Sequence, residues 1–332
     1  MEWDPSRFFR PEGSPSPYAL LVLNQPINEK AFGALSEHAS YIICADGGAN
    51  RLYDMMKILG KESTELPDKI VGDLDSILPS VRQHYEGLGV PVVEDPDQYS
   101  TDFTKCLKHL NSQATGIITS PRRQKRKSPS TSQENAAPIT LPSQSSLEIV
   151  ILGGLGGRVD QAFSQIHHLY LMTQTQRAIR ESQEPNPHDG KQKIGSGAGG
   201  NLYLISEESI TFVLQEGKNI IYTPATNRPD TEVSPDQDST AKENQSPLKR
   251  ERDQETGTEM EYFFEENIGI IPLSAPASIT TQGFEWDVED WHTEIGGQLS
   301  TSNHIRADKV EVSTSVPVLF TVELAQRLKR AQ

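Results

Sequence analysis

In the first 180 residues, short apolar runs alternate along the chain with amphipathic stretches. This alternation predicts the fold class. Short runs of consecutive β-prone apolar residues are typical of strands buried on both faces of a sheet. The predicted strands are Tyr18–Leu23, Tyr41–Ala45, Lys69–Val71, Val90–Val93 and Glu148–Leu152. Amphipathic helical stretches separate them, near Glu29–His38, Ala49–Leu59, Pro79–Leu88, Asp102–Leu110 and Arg158–Thr175. Strand–helix alternation predicts an α/β domain with a mostly parallel sheet and flanking helices.

After about residue 200 the pattern changes to short β-prone runs separated by turn residues. The predicted strands are Asn201–Ile205, Ser209–Leu214, Asn219–Tyr222, Gly269–Leu273, Ser278–Thr281, Lys309–Thr314 and Val318–Val322. This spacing predicts a compact antiparallel domain, either a sandwich or a barrel. We therefore expect one domain over residues 1–200 and a second over residues 201–332.

Three polar segments interrupt these patterns, and each has too few large apolar residues to offset the entropy lost on ordering. They are residues 120–146, residues 181–200 and residues 225–259. We expect all three to be mobile inserts. The first contains a basic run, Arg122–Lys127, for which a solvated loop is the favoured interpretation and a nuclear-import or RNA-binding patch is the alternative.

Overall composition narrows the class of protein. The net charge of −15 disfavours a general affinity for nucleic acid or for anionic membranes. There is no apolar run long enough to span a membrane, and the first residues lack the features of a signal peptide. With only two cysteines, Cys44 and Cys106, a disulfide framework is not expected. These features predict a cytoplasmic protein.

Two acidic runs carry the strongest chemical signal. Asp73 and Asp75 follow a predicted strand, while Asp102 and Lys105 lie at the start of a predicted helix. Residues two apart in an extended stretch point the same way, so Asp73 and Asp75 can reach one ion, and carboxylate oxygens suit Mg²⁺. A turn cap for the aspartate pair and a helix cap with a surface ion pair are the simpler interpretations. A lysine and a helix N-terminus add groups that hold polyphosphate.

Two glycine-containing runs, Ala45–Arg51 and Leu152–Gln161, also follow predicted strands. Glycine lets backbone amides approach a phosphate closely, and Arg158 can clamp one bidentately, although an ordinary turn explains the first run equally well. The second run is neither a Walker loop nor a dinucleotide fingerprint. Because Asp46, Asp73 and Gly153 all come just after strands, we expect them to share one crevice at the carboxyl ends of the sheet.

The β-rich half has weaker signals. Trp286 lies in a glycine-containing run, and a hydroxyl-and-amide run ends at Asn303; a core tryptophan and a plain turn explain them equally well. His167 and His168 have no third ligand at a useful spacing, so we interpret them as packing or surface residues.

Taken in order, six motifs resemble those of the thiamin pyrophosphokinase family. They are Cys44–Arg51, Gly72–Ser76, Thr101–Cys106, Gly153–Gln161, Trp286 and Ser300–Asn303. Together the motifs span nearly the whole chain apart from the inserts. One motif would be unspecific, but six in the family's order make the resemblance specific. The inserts are similar to those of larger fungal forms. The resemblance implies an α/β N-terminal domain, a C-terminal antiparallel β-sandwich and a homodimer. It implies transfer of pyrophosphate from ATP to the hydroxyethyl group of thiamin, giving thiamin diphosphate and AMP.

The resemblance also implies a role for each motif residue. The Mg²⁺-binding carboxylates are Asp73, Asp75 and Asp102. The groups that handle ATP are Asp46, Gly47, Gly48, Asn50, Arg51, Thr101, Lys105, Arg158, Asp160 and Gln161. The expected catalytic residues are Asp73, Asp102, Lys105, Arg158 and Asp160. The thiamin-binding residues are Trp286, Ser300, Thr301, Ser302 and Asn303, and an aromatic face suits a cationic thiazolium ring.

Three points stay open from the sequence. Either Asp73 or Asp102 can accept the proton of the thiamin alcohol. A Mg²⁺-dependent nucleotide phosphohydrolase would use the same carboxylates. A non-enzymatic nucleotide-sensing or RNA-binding protein would use the basic run Arg122–Lys127 instead, with salt-dependent binding.

Overall fold

The computed structural model describes residues 1–122, 146–183, 197–229 and 262–330. The three predicted inserts lie mostly outside these ranges, as do residues 123–127 of the basic run. The helices are α1 (Glu29–His38), α2 (Gly48–Ile58), α3 (Pro79–Gly87), α4 (Asp102–Thr119) and α5 (Val159–Gln183). Within the described residues, no helix has the length and apolar character needed to cross a membrane.

The strands of the first half are β1 (Glu2–Trp3), β2 (Tyr18–Val22), β3 (Tyr41–Ala45), β4 (Lys69–Gly72), β5 (Val92–Glu94) and β6 (Glu148–Leu152). Those of the second half are β7 (Leu202–Ile205), β8 (Ser209–Leu214), β9 (Gly217–Tyr222), β10 (Thr226–Asn227), β11 (Phe264–Pro272), β12 (Ala277–Gln282), β13 (Trp291–Thr293), β14 (Ser300–His304), β15 (Lys309–Thr314) and β16 (Val318–Leu324).

A parallel sheet forms the first half, in the order β5-β4-β3-β2-β6-β7. Its side chains alternate between two buried cores, as a strand period of two requires: Leu20 packs with α1 to α3, and Leu21 packs with α4 and α5. Helices therefore cover both faces, which explains why the central strands are apolar without alternation. The predicted α/β class is confirmed.

The same sheet continues into the second half, where β7 and β8, β8 and β16, and β16 and β11 are antiparallel pairs, while β10 at the edge runs parallel to β11. A smaller sheet, in the order β1-β9-β15-β12-β13, packs against this part. Phe212 and Phe320 of the larger sheet share one buried core with Ile221 and Val310 of the smaller sheet. Two facing sheets make a β-sandwich, as expected.

Several predicted elements differ from the observed ones. The run ending at Ile205 is a parallel neighbour of β6, so the antiparallel region begins at β8 rather than at residue 201. The run Ser300–Asn303 belongs to strand β14 rather than to a turn, because it pairs with the neighbouring strand β11. The pairing of β1 with β9 joins residues too far apart in the chain for a local pattern to show.

The described ends of the predicted inserts are packed rather than mobile. Arg122 is buried, and its guanidinium donates to Asp68 Oδ2 at 2.9 Å and contacts the Leu66 carbonyl oxygen. Gly200 is buried against the residue that precedes β6. A Cβ on Gly200 would lie 1.8 Å from the Leu147 carbonyl oxygen. Thr226 is buried in β10. The predicted bounds of each insert therefore include a few residues that belong to the folded part of the chain. Local composition did not show this, because these residues pack through long-range contacts.

Candidate functional site

The candidate site lies at the carboxyl ends of the parallel strands, where α/β sheets place their ligands. Asp46 follows β3 directly, Asp73 follows β4, and β3 and β4 are neighbours in the sheet. Asp102 is the first residue of α4, which packs on both of these strands. The expected shared crevice is therefore formed by adjacent strand ends and one helix N-terminus.

Three carboxylates converge there. One oxygen from each of Asp46, Asp73 and Asp102 lies within 4.8 Å of the others. Such a group of hard oxygen donors, held close despite their mutual repulsion, is suited to a divalent cation.

Asp75 is not part of this group of three, and Asp46 takes its place. Leu74 has a left-handed backbone with φ of 64°, so the chain turns between Asp73 and Asp75 instead of staying extended. The stretch is therefore not extended as expected, but the Asp75 side chain still lies within hydrogen-bonding reach of Asp73, where it helps to lower the pKa of that carboxyl. Asp75 is exposed, and its Oδ1 accepts a hydrogen bond from the Ser76 hydroxyl at 2.7 Å.

Asp46 holds the turn that carries Asp73. It is completely buried, and its two oxygens accept hydrogen bonds from the backbone N–H groups of Ser76 and Ile77, at 2.9 and 3.0 Å. Gly72 lies so close that a Cβ there would meet the Asp46 Cβ at 2.5 Å. Asp46 thus holds the backbone at Ser76 and Ile77, just after Asp73, and its carboxylate also belongs to the cluster.

Lys105 supplies the positive charge of the cluster. Its side chain is fully buried, and Nζ donates to Asp73 Oδ2 at 3.1 Å and to Asp102 Oδ1 at 3.2 Å. The simple interpretation of a surface ion pair is therefore wrong. Asp73 Oδ1 is buried and accepts no hydrogen bond. A buried carboxylate oxygen without a partner, beside two more carboxylates, fits a cation.

The pKa values of the three carboxylates move in different directions. Burial raises the pKa of Asp46 and of Asp102, and neighbouring negative charges add to this despite the hydrogen bonds that oppose it. Burial acts in the same direction on Asp73, but the Lys105 ammonium outweighs it and holds the pKa of Asp73 below its usual range. Carboxylates whose environments separate their pKa values are suited to different roles in proton transfer.

The glycine run after β3 leads directly into α2. Gly48 is required by packing, because a Cβ would lie 2.2 Å from the Val22 carbonyl oxygen. Asn50 connects α2 to the Asp73 turn: Nδ2 donates to the Ser76 carbonyl oxygen at 2.9 Å. Arg51 is exposed and donates to Asn24 Oδ1 at 3.1 Å. A Cβ on Gly47 would clash with the Asn24 side chain at 2.3 Å.

The second glycine run follows β6, on the other side of β2. Gly153, Gly156 and Gly157 all have positive φ, which explains why glycine occupies these positions. Arg158 and Asp160 are exposed and pair with each other at 2.6 Å, while Gln161 is exposed at the start of α5. The Arg158 guanidinium is therefore at the surface beside the same sheet edge.

Thr101 caps α4, and its Oγ1 accepts a hydrogen bond from the Thr104 N–H at 3.3 Å. This is the expected capping geometry, and it places Asp102 in the first turn, near the positive end of the helix dipole. The alternative of a helix cap is thus observed together with the carboxylate cluster. Capping and ligand binding involve different side chains here, so they do not compete.

The predicted thiamin-binding residues lie in the β-sandwich. Trp286 is 55% exposed in the turn after β12, and its ring centroid lies 5.2 Å from that of His304. Thr301 and Ser302 are exposed on β14, and Ser300 is half-buried. Asn303 is buried, with its amide directed at the Trp286 backbone rather than at solvent.

One cavity connects the two halves of the chain. It has a volume of about 570 Å³ and is lined by Leu155 and Gly156 of the second glycine run and by Thr301 of β14. Asn267 and Gly269 of β11 are also part of its wall. The three aspartates of the cluster and Trp286 do not line this cavity. A single chain thus brings β14 close to the glycine run, but this cavity does not join the acidic cluster to the exposed indole.

Some site residues were not found from the sequence. Asn24 contacts the Gly47 region and Arg51, and its position just after β2 was the available signal. His304 lies under Trp286 and had no distinguishing local pattern. His167 and His168 belong to no carboxylate, histidine or cysteine group suited to a metal within the described ranges, and His168 Nδ1 contacts the Ser164 carbonyl oxygen at 2.7 Å.

Comparison with protein families gives two consecutive matches. Residues 32–180 match the model described as "Thiamin pyrophosphokinase, catalytic domain". Residues 251–319 match "Thiamin pyrophosphokinase, vitamin B1 binding domain". The first match contains the carboxylate cluster and both glycine runs, and the second contains Trp286 and β14.

Individual relatives align over most of the chain. Thiamine pyrophosphokinase 3 of Oryza sativa subsp. japonica is 29% identical over 318 residues, covering 92% of this chain and 87% of the rice protein. Thiamine pyrophosphokinase of Saccharomyces cerevisiae is 25% identical over 327 residues, covering 92% of this chain and 85% of the yeast protein. The solved thiamin pyrophosphokinase of Candida albicans has the same fold, with a TM-score of 0.65 at 24% identity, covering 98% of this chain and 93% of that one.

Proposed function

The chain belongs to the thiamin pyrophosphokinase family, and from this premise we propose that it transfers pyrophosphate from ATP to the hydroxyethyl group of thiamin. The products are thiamin diphosphate and AMP. The observation that supports this best is the cluster of Asp46, Asp73 and Asp102 with Lys105, which lies inside the region matched by the catalytic-domain model.

Magnesium is the proposed metal. Asp73 and Asp102 offer carboxylate oxygens to it, and the buried Asp73 Oδ1 has no other partner. Asp75, exposed on the same turn, completes the ligand set that the family resemblance implies. When bound, Mg²⁺ neutralises charge on the phosphoryl oxygens of ATP. Lys105, already buried among the carboxylates, adds a positive charge that stabilises the same oxygens.

Asp73 and Asp102 are the two candidates for the general base. Transfer requires attack of the thiamin alcohol on the β-phosphorus, so that AMP leaves, and the alcohol proton needs an acceptor. Burial raises the pKa of Asp102, while Lys105 keeps the pKa of Asp73 low. Both carboxylates accept a hydrogen bond from Lys105 and both are proposed Mg²⁺ ligands, so either of them can accept the alcohol proton.

The remaining groups divide between ATP and thiamin. The nucleotide set consists of Gly47, Gly48, Asn50, Arg51, Thr101, Arg158, Asp160 and Gln161, around the carboxyl edge of the parallel sheet. In this arrangement the exposed Arg158 exchanges Asp160 for a phosphate, a better bidentate partner. Trp286, Ser300, Thr301 and Ser302 form the thiamin side. This assignment divides the chain at about residue 200, into a nucleotide- and Mg²⁺-binding part and a thiamin-binding part.

We further propose a homodimer whose site combines the two parts from different chains. Large apolar side chains are exposed beside both halves of the site: Val159 and Phe163, one helical turn apart on α5, and Ile295 and Leu299 near β14. Exposed apolar groups of this size are typical of contact surfaces. A cytoplasmic location also stays a proposal, in line with two buried free cysteines, Cys44 and Cys106.

The test is to incubate the purified full chain with thiamin, ATP and Mg²⁺ and to quantify the products by chromatography. We expect AMP and thiamin diphosphate in equal amounts, with neither formed when thiamin is omitted. Release of inorganic phosphate and ADP without any thiamin ester would favour a phosphohydrolase and would overturn the proposal. Omitting Mg²⁺ separately tests the metal assignment.

A further inference from the structure

The turn between β12 and β13 displays one large aromatic side chain to solvent. Trp286 is 55% exposed, although its neighbour Phe284 is buried and bridges to Ile305 just after β14. An exposed indole does not stabilise the fold through burial. The contacts that hold this turn therefore need another explanation.

Asn303 of β14 holds the Trp286 peptide on both sides. Its Oδ1 accepts hydrogen bonds from the N–H groups of Trp286, at 3.1 Å, and of His304, at 2.8 Å. Its Nδ2 donates to the Trp286 carbonyl oxygen at 2.8 Å. Asn303 is only 7% exposed, so its amide is occupied by the protein.

Asp287 anchors the other side of the same turn. Its carboxylate accepts hydrogen bonds from the backbone N–H groups of Gly283 and Phe284, at 2.9 and 3.1 Å. It also accepts one from the Thr281 hydroxyl, at 3.1 Å. The turn is thus attached to β12 through Asp287 and to β14 through Asn303.

His304 and the ion pairs beyond it support one side of the indole. The ring centroid of His304 lies 5.2 Å from that of Trp286, and His304 Nδ1 contacts Glu285 Oε2 at 2.7 Å. Arg306 pairs with both Glu285 and Glu266. The indole therefore has a fixed backbone and a supported ring, which limits the number of orientations it can adopt.

We infer that Asn303 is a positioning residue that holds Trp286 ready to receive thiamin, rather than a residue that contacts thiamin itself. This inference rests on the proposed function. A ring held in its binding orientation does not lose conformational freedom when the ligand stacks on it, so the affinity for the ligand is higher. Removing the Asn303 amide leaves the ring present but no longer oriented.

The first test is the steady-state kinetics of Asn303→Ala. We expect the KM for thiamin to rise about tenfold, the value of one stacking contact of roughly 1.4 kcal/mol. The KM for ATP and the turnover number at saturating thiamin should stay within about twofold, because the carboxylate cluster is unchanged. Asn303→Asp keeps the size of the side chain and its acceptor oxygen. It replaces the donating amide group by a carboxylate oxygen, which repels the Trp286 carbonyl oxygen, so this variant should also raise the KM for thiamin.

Asn219→Ala is the matched control. Asn219 is also a buried asparagine whose amide holds a turn: it accepts from the Gln215 N–H and donates to the Gln215 and Val312 carbonyl oxygens. None of the hydrogen bonds described for it reaches Trp286 or β14. Asn219 also accepts from the Trp3 Nε1–H and donates to the Gly217 carbonyl oxygen. Asn219→Ala should therefore lower thermal stability at least as much as Asn303→Ala, without a change in the KM for thiamin.

The second test measures binding without turnover. The difference in tryptophan emission between the parent and Trp286→Phe isolates the signal of Trp286, which thiamin should quench. In Asn303→Ala the same titration should give an approximately tenfold higher Kd.

A thiamin KM and Kd of Asn303→Ala within twofold of the parent values would overturn the inference, and so would an equal rise in Asn219→Ala. If the parent forms no thiamin diphosphate, the proposed function fails, while this titration still decides the role of Asn303.

Discussion

At the residue scale, the carboxylate cluster carries the chemistry. Asp73→Asn and Asp102→Asn should each lower turnover by about two orders of magnitude or more, on the order of 3 kcal/mol of transition-state stabilisation. Each change removes one negative ligand of the proposed metal and one of the two candidates for the general base. The measurement is the initial rate of AMP formation with saturating thiamin, ATP and Mg²⁺.

The control is Asp308→Asn, which changes a carboxylate that pairs with Arg228 outside the cluster. It should keep its full rate. Near-normal turnover in both cluster variants would remove these carboxylates from the mechanism.

A second residue-scale prediction concerns Gly48. Its added Cβ would lie 2.2 Å from the backbone oxygen of Val22, which cannot move aside as a flexible side chain does. Gly48→Ala should therefore destabilise the protein by about 1–3 kcal/mol, as overpacking does. Thermal unfolding measures the effect. Gly33→Ala is the matched control, since a Cβ there meets nothing within 4 Å inside α1, and it should stabilise the helix slightly.

At the element scale, Arg122 fastens the end of α4 to the sheet. Its backbone N–H donates to the Ser40 carbonyl oxygen at 2.9 Å, and its buried guanidinium pairs with Asp68, which also accepts from the Ile42 N–H. Arg122→Met leaves Asp68 without its cation and should lower the free energy of unfolding by about 3 kcal/mol.

Chemical denaturation of Arg122→Met measures this loss. Arg82→Met is the control, because it breaks the exposed pair with Glu86 and should cost less than about 1 kcal/mol. Equal stability of the two variants would show that Arg122 behaves as a solvated residue of the basic run.

The third predicted insert can be tested by deletion. Because Thr226 is buried in β10, which pairs with β11, the replacement must leave residues 225–229 in place. Exchanging residues 230–261 for a short Gly/Ser linker should keep the melting temperature and turnover close to those of the parent, since the segment offers little apolar surface to a core. A variant that is insoluble or inactive would contradict this prediction.

At the scale of the whole molecule, one sheet runs through both predicted parts of the chain. The parallel strands end at β7, which pairs with β8 of the sandwich, so the boundary near residue 200 does not interrupt the hydrogen bonding. Division of the chain into two functional parts stays a proposal. Continuous pairing suggests that the two parts move together rather than about a hinge.

The shared site can be tested in mixed dimers. Asp73→Asn and Trp286→Ala should each be nearly inactive alone. If each site combines the two parts from different chains, a mixed dimer has one site with both defects and one with neither. Refolding an equal mixture then gives about half mixed dimers and roughly a quarter of the wild-type sites.

Mass spectrometry confirms that mixed dimers have formed. Activity that does not recover in their presence would contradict the shared site, because both halves would then come from one chain. A protein that stays monomeric at assay concentration would contradict the homodimer itself.

The sequence by itself determined the parallel α/β region, the antiparallel region after it and the order of the six motifs. These follow from signals within short stretches: apolar periodicity, strand-ending polar residues and a capping threonine at residue 101. Asp73, Asp102 and Lys105 could be expected together because each lies at a predicted strand or helix end, and such ends meet at one edge of a parallel sheet.

Only the tertiary structure decided which atoms converge. The left-handed backbone at Leu74 breaks the expected extended stretch, and the group of three converging carboxylates contains Asp46, which follows the neighbouring strand β3, rather than Asp75. The amide of Asn303 is occupied by Trp286, and Arg122 is buried rather than solvated. Each of these outcomes depends either on contacts between residues far apart in the chain or on a single backbone angle. Long-range contacts and single angles produce no periodic pattern of apolar residues, so the sequence does not reveal them.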